Sequence, residues 1–126
     1  LAPSFERLAM MFGLRDDDLQ IIHAVLAEHG EIESAWIFGS RAKGNYRPGS
    51  DVDIALFGRD LARAVSSVAE ALNEASPLPY CFDIVDAEAL ADRDLLGHIR
   101  RVGKLLYRRD SIAVDDNEAQ RQRKMA

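Results

Sequence analysis

The chain has 126 residues, enough for one domain with a single hydrophobic core. Its 48% hydrophobic and 29% charged residues are typical of a globular protein, and its formal net charge of −5 argues against a nucleic-acid polymer as partner. No apolar run approaches the roughly 20 residues of a membrane span, so we expect no membrane association. The single cysteine, Cys81, excludes an internal disulfide framework and predicts a reducing, cytoplasmic location.

The first two predicted elements are helices. Residues 1–14 place apolar side chains at helical spacing, which predicts an amphipathic N-terminal extension. The acidic residues 16–18 favour the start of a second helix, and Gly30 is its predicted stop. The apolar stripe of this second helix consists of Leu19, Ile22 and Leu26.

Two strands with a compact connection follow the second helix. Residues 33–38 alternate in polarity and predict a strand. A helical turn over residues 41–44 and a turn at Pro48-Gly49 lead to a second strand over residues 51–57. Because the connection is short, we expect the two strands to be neighbours in one sheet.

The next two predicted elements are a helix and a third strand. Asp60 is the predicted N-cap of a helix that must end before Pro77. Residues 80–85 predict a strand in which Phe82 and Ile84 share one face. Since strand side chains alternate, Asp83 points to the opposite face.

The last ordered elements are a helix and a short closing strand. Leu95, Ile99 and Val102 form the helical stripe, Gly103 closes it, and residues 104–107 predict the strand. Residues 109–126 are polar and without periodicity, so we predict a disordered tail. The folded domain is therefore predicted to span residues 15–108.

Three aspartates suggest a metal site. Asp51 and Asp53 lie two residues apart on a strand, so both carboxylates point to one face while Val52 and Ile54 point into the core. Such like charges repel one another unless a cation lies between them, and a hard cation such as Mg²⁺ prefers carboxylate oxygen. Asp83 has the strand parity to be a third acid that completes a two-metal site and accepts a proton.

The connection between the two strands suggests a site for a polyphosphate. Gly39 allows close approach to the backbone, and the helical turn after it offers N–H groups together with the Ser40 hydroxyl. Arg41, Lys43 and Arg47 are candidates to neutralise a highly charged anion. Combined with the acidic residues, these features predict transfer of a nucleotidyl group from a nucleoside triphosphate.

Several other residues have simpler interpretations. Asp86 lies near Asp83 and competes with it as the candidate third acid, but Asp86 could instead be a simple helix N-cap. Cys81 is expected to be a small buried thiol, and the three histidines are expected to be structural. Tyr46 and Tyr80 either stack on a base or pack internally; the sequence does not separate these roles.

The segments Phe38–Gly44 and Ser50–Ile54 resemble the minimal nucleotidyltransferases (MNT) of the DNA polymerase beta-like superfamily. The resemblance covers roughly residues 15–107. It implies an α/β (α+β) fold with a small mixed sheet of about three to four strands flanked by helices. Gly39 and Ser40 match the residues that hold the triphosphate, and Asp51 and Asp53 match the metal ligands. Residues 111–126 depart from the family, whose members often continue helically there.

The resemblance also implies an activity and a partner. MntA-type antitoxins use Mg²⁺ and ATP to transfer AMP to a tyrosine of a HEPN RNase toxin, so we expect two Mg²⁺ ions, ATP and a HEPN partner. One alternative is a binding module that neutralises its partner by occlusion, with weak or no catalysis. A third possibility is a nucleotidyltransferase for a small-molecule hydroxyl, although the chain leaves little room for a second, acceptor-binding domain.

Overall fold

A computed structural model describes residues 12–109, which form four α-helices and four β-strands. In chain order these are α1 (Asp16–Ala27), β1 (Ile32–Phe38), α2 (Ser40–Lys43), β2 (Val52–Gly58), α3 (Ala62–Glu70), β3 (Phe82–Asp86), α4 (Arg93–Val102) and β4 (Lys104–Arg108). A π-helical turn over Ala71–Ala75 extends α3, and a 3-10 turn over Ala87–Ala89 follows β3. The predicted extension over residues 1–14 and the predicted tail over residues 109–126 lie almost wholly outside the described part.

The strands form one mixed sheet with the order β3-β2-β1-β4. Strand β1 pairs antiparallel with both β2 and β4, whereas β2 and β3 run parallel. This sheet with its flanking helices confirms the predicted fold class, and it confirms that the first two strands are neighbours. None of the helices in residues 12–109 is long and apolar enough to span a membrane.

One face of the sheet, the core face, packs against α1 and α3. The predicted stripe of α1 lies in this core, as do Leu61 just before α3, Val68 within it and Leu72 in the π-helical turn after it. On β2, the alternating residues Val52, Ile54 and Leu56 are all fully buried here. The side chains of β2 therefore alternate between the two faces of the sheet as predicted, and Asp53 lies on the face opposite to this core.

The opposite face, the site face, carries Phe38, Asp53, Ala55 and Asp83 and is covered in part by α4. Ile99 of α4 packs against Phe38 and Ala55 in a second, smaller apolar cluster. Because α4 covers only part of this face, Asp53 is half-buried and Asp83 is exposed. The sheet thus has one closed face and one face where carboxylates reach solvent.

Two predicted helix boundaries are wrong. Helix α1 ends at Ala27 rather than near Gly30, because the N–H groups of Glu28 and His29 already donate to carbonyls of the last helical turn. Asp60 is not an N-cap: helix α3 begins at Ala62, and Asp60 has a left-handed backbone with φ of 50°. Aspartate is among the residues that tolerate this conformation, so Asp60 serves the turn before the helix.

Candidate active site

Two adjacent parallel strands bring two of the predicted acids together. Asp53 of β2 and Asp83 of β3 are register partners. Neighbouring strands lie about 4.8 Å apart, so these two residues are side by side on the site face. Asp51 is exposed and directly precedes β2, where the Val52 N–H donates to the Cys81 carbonyl at 2.8 Å. We call Asp51, Asp53 and Asp83 the acid cluster.

In the acid cluster, the surroundings of Asp53 disfavour its ionised form. Burial is the largest cause that raises the pKa of Asp53 above its ordinary value, followed by the charges of Asp83 and Asp51. The charge of Arg41 acts in the opposite direction and lowers the pKa of Asp53. A cation among the three carboxylates would relieve this repulsion.

The donor set fits a hard divalent cation, although the side chains do not yet converge. Within residues 12–109, no three acidic, histidine or cysteine side chains are arranged as a ready metal site. The acid cluster nevertheless offers only carboxylate oxygens on adjoining segments, and such oxygens are the ligands that Mg²⁺ prefers.

Gly39 brings the chain into direct contact with the acid cluster. Its backbone has φ of 74°, in the left-handed region that favours glycine. A Cβ atom at this position would overlap Oδ2 of Asp53. Any side chain here would therefore displace either the turn or the carboxylate. The half-buried Ser40 then starts α2, so the Gly39-Ser40 turn lies directly beside Asp53.

Arg41 is engaged inside the protein. Its side chain is only 3% exposed, and Nε and Nη2 donate to the Ser50 carbonyl at 3.2 and 2.8 Å. Nη1 donates to the Phe12 carbonyl at 3.0 Å. These bonds tie the segment before Asp51 to the start of α2 and to the N-terminal turn. The geometry favours a role in holding this loop over the predicted contact with phosphate.

Two tyrosines lie against Arg41, as the internal-packing interpretation of these residues predicts. The guanidinium carbon lies 5.2 Å from the ring centre of Tyr46 and 5.1 Å from that of Tyr80. The Tyr80 hydroxyl donates to the buried carboxylate of Asp18 at 2.7 Å. Burial and this hydrogen bond raise the pKa of Tyr80. Both rings thus pack internally and support Arg41.

The other predicted phosphate contacts lie on an exposed loop. Lys43 ends α2 and Arg47 follows in the connection to β2, and both side chains are exposed. The Arg47 N–H donates to the Ser50 hydroxyl at 2.8 Å, which closes the turn that contains Pro48-Gly49. The phosphate-binding role of Lys43 and Arg47 stays a prediction.

Residues near β3 and α1 separate into structural and peripheral ones. Asp86 accepts hydrogen bonds from the N–H groups of Glu88 and Ala89 at 2.9 and 3.2 Å, which confirms its interpretation as an N-cap.

The expectation that Cys81 is buried is wrong, because β3 begins at Phe82 and leaves Cys81 exposed before it. His23 contacts the Leu106 carbonyl at 2.6 Å and connects α1 to β4.

The sequence interpretation missed Asp18, which supports Tyr80, and Asn73, whose amide contacts the backbone of β3. Asp18 lies in an acidic helix start, where a favourable interaction with the helix dipole already explains an acidic residue. Asn73 stood near a helix end, where polar residues are ordinary. Only the tertiary contacts distinguish these two residues from solvated ones.

A comparison with family models identifies the family of this chain. The family model described as "Polymerase beta, Nucleotidyltransferase" matches residues 20–112, a span that contains every predicted site residue. No curated protein matches the chain by sequence. The family assignment therefore rests on the family model, and the solved structures add the fold.

Several solved structures share the fold over most of both chains. A toxin–antitoxin crystal structure with AMP-PNP is 26% identical, with a TM-score of 0.61 and 86% of each chain covered. A MntA-HepT toxin–antitoxin is 24% identical, with a TM-score of 0.57 over 88% of this chain and 86% of that one. A tri-AMPylated Shewanella oneidensis HEPN toxin in complex with MNT antitoxin is 23% identical, with a TM-score of 0.50 over 80% of this chain and 78% of that one. Below 25% identity, the likeness shows the fold alone.

Proposed function

The chain belongs to the polymerase beta nucleotidyltransferase family, and from this premise we propose that it is an antitoxin that transfers AMP from ATP to a tyrosine hydroxyl of a partner HEPN RNase. The observation that carries this proposal is the in-register pair Asp53 and Asp83 beside Gly39. Carboxylates and a side-chain-free turn at one point are what a metal–triphosphate substrate needs.

The acid cluster is the proposed holder of Mg²⁺. Asp51, Asp53 and Asp83 would bind two ions, which supply charge neutralisation at the attacking and leaving oxygens of an in-line displacement. The register of β2 and β3 holds Asp53 beside Asp83 before any substrate arrives. Asp53 also lies against the Gly39-Ser40 turn, so the carboxylate and the turn face the same substrate.

The turn and its loop are the proposed triphosphate site. The first N–H groups of a helical turn lack intrahelical partners, so those after Gly39, with the Ser40 hydroxyl, are available to phosphate oxygen. Lys43 and Arg47 are exposed and add positive charge along the same loop. Arg41 acts indirectly in this proposal, since it holds the Ser50 carbonyl immediately before Asp51.

The reaction is a single displacement at phosphorus. The acceptor oxygen forms a bond to the α-phosphorus, the bond from that phosphorus to the bridging oxygen breaks, and pyrophosphate leaves. The hydroxyl proton passes to a carboxylate, and we assign this role to Asp83 because its exposed side chain is accessible to an incoming hydroxyl. The products are an AMP ester of the acceptor and pyrophosphate.

The choice of acceptor rests on the related complexes. One structure of 26% identity is a toxin–antitoxin with an ATP analogue, and one fold neighbour holds an AMPylated HEPN toxin. A second candidate is the occluding binding module, favoured by the finding that the carboxylates in residues 12–109 do not converge on a ready metal site. The two candidates differ in whether neutralisation of the toxin requires the acid cluster.

Mass spectrometry of the partner separates the two functions. A HEPN RNase is incubated with this protein, ATP and Mg²⁺, and we expect its mass to rise by one or more AMP groups. The Asp51→Ala/Asp53→Ala variant should leave the mass unchanged. Asp86→Ala is the matched control, since this carboxylate ends the same strand as Asp83 but caps a 3-10 turn. A stable complex without a mass change would establish occlusion instead.

A further inference from the structure

The side-chain amide of Asn73 binds both polar groups of one residue in β3. Its Nδ2 donates to the Phe82 carbonyl at 3.0 Å, and its Oδ1 accepts from the Phe82 N–H at 2.7 Å. The amide therefore imitates one residue of a neighbouring strand. Phe82 directly precedes Asp83, so this two-point contact lies next to the acid cluster.

The contact closes the outer edge of β3 where the strand begins. In the described part of the chain, β3 is at the end of the strand order and pairs only with β2. On the inner side, the Val52 N–H donates to the Cys81 carbonyl at 2.8 Å. The strand is thus hydrogen-bonded on both edges over Cys81 and Phe82, immediately before Asp83.

Asn73 lies where the helix type changes. Helix α3 ends at Glu70 and continues as the π-helical turn Ala71–Ala75. Leu72 in this turn stays fully buried in the core, while Asn73 next to it extends to β3. Such π turns inside helices are rare and occur often at functional sites.

We propose that Asn73 is a positioning residue that fixes the register and the direction of Asp83 in the acid cluster, an inference that rests on the proposed function. Strand β3 has only five residues, and a slip of one residue would turn Asp83 to the core face. The amide of Asn73 prevents this slip because only Phe82 presents its N–H and carbonyl to it. Asp83 then remains beside Asp53.

The exposure of Asn73 argues against a role in packing. Its side chain is exposed, so its removal leaves no cavity in the core. The Asn73→Ala variant therefore loses two hydrogen bonds and little else. Ser76→Ala is a matched control, because the Ser76 hydroxyl donates to the Leu72 carbonyl and accepts from the Leu78 N–H at the same helix end; these two hydrogen bonds do not involve β3.

The test measures Mn²⁺ binding by electron paramagnetic resonance, AMP transfer to the partner and thermal unfolding, all on the full chain. Mn²⁺ takes the same oxygen ligands as Mg²⁺. We expect Asn73→Ala to weaken Mn²⁺ binding and to slow transfer by about tenfold or more, as loss of a residue behind a metal ligand does. Its melting temperature should stay near that of Ser76→Ala, and Ser76→Ala should bind Mn²⁺ as the wild type does.

A double variant shows whether Asn73 acts through Asp83. If it does, adding Asn73→Ala to Asp83→Ala changes Mn²⁺ affinity no further. Equal losses in both backgrounds, or unchanged affinity in Asn73→Ala, would overturn the positioning role. If the wild type binds Mn²⁺ in an Asn73-dependent way but transfers no AMP, the proposed function fails and the positioning role stands. Absence of Mn²⁺ binding in the wild type would overturn both.

Discussion

The two faces of the sheet use the same strands for opposite purposes. On the core face, Ile37, Val52 and Ile54 are fully buried under α1 and α3. On the site face, only a small cluster under α4 is buried, and Asp53 and Asp83 reach solvent. Residues that are adjacent in sequence, such as Asp53 and Ile54, therefore serve chemistry and stability separately. Substitutions on the two faces should accordingly change different measured quantities.

The largest effect on activity is expected for Asp53→Asn. This change removes a central charge of the acid cluster, so transfer should fall by at least about 100-fold, the upper end of what residues behind metal ligands cost. Stability should not fall with it. A carboxyl whose folded-state pKa is raised, as that of Asp53 is, destabilises the fold when it ionises as the pH rises. A neutral amide should thus leave the melting temperature at neutral pH equal or higher, and a clear drop would contradict the division between the faces.

The largest effect on stability is expected for the neighbouring residue. Ile54→Ala removes a fully buried side chain from the core face and should lower the free energy of unfolding by about 2–5 kcal/mol. Urea denaturation measures this loss. Transfer activity per folded molecule should stay close to that of the wild type. Loss of activity at a temperature where the variant is fully folded would show that the two faces are coupled.

A smaller loss is expected where the loop before the acid cluster is held. In Arg41→Lys, a single ammonium group replaces the guanidinium that bonds the Ser50 and Phe12 carbonyls, and the free energy of unfolding should fall by about 1–3 kcal/mol. Lys43→Ala is the control on the same helical turn. Its side chain is exposed, so its change should stay within about 0.5 kcal/mol. Equal effects of the two substitutions in thermal unfolding would refute the holding role of Arg41.

The smallest effect is expected for Tyr80→Phe. The change removes the hydrogen bond to Asp18 and should cost about 1 kcal/mol of stability. Because the pKa of Tyr80 is raised, its contribution is complete at neutral pH and is lost as the pH rises through that pKa. The stability difference between wild type and variant should therefore shrink in alkaline solution. In a spectrophotometric titration of the three tyrosines, the variant should lack the wild type's late-ionising phenol.

Features set by residues close in sequence could be predicted, whereas features set by contacts between distant residues could not. The Gly39-Ser40 turn and the alternation of Asp51, Val52 and Asp53 are local patterns, and strand parity extended the prediction to Asp83. The register that places Asp53 beside Asp83 depends on the parallel pairing of β2 and β3, which no local pattern specifies. The nucleotidyltransferase family predicted from these residues is confirmed by the family model.

The features that the sequence did not predict depend on contacts with distant backbone or on where an element begins. The cationic loop predicted that Arg41 contacts phosphate, and this stays a prediction; the loop did not indicate that the guanidinium donates to the Phe12 carbonyl, 29 residues away in sequence. Asn73 lies in the π turn after α3 and hydrogen-bonds to Phe82 of β3, nine residues away in sequence. Cys81 is exposed because β3 begins at Phe82, two residues later than the predicted start at Tyr80. The contacts of Arg41 and Asn73 thus join separate elements, whereas the exposure of Cys81 follows from the boundary of one element.

Transfer of the α-phosphate is the most direct test of the proposed chemistry. The protein, Mg²⁺ and the HEPN partner are incubated with ATP labelled either at the α- or at the γ-phosphate, with Asp53→Asn in parallel. We predict that the α-label appears on the partner and that the γ-label is released as pyrophosphate. With Asp53→Asn, the partner should carry no label from either ATP. Label on the partner from γ-ATP, or α-label that persists in Asp53→Asn, would contradict nucleotidyl transfer by the acid cluster.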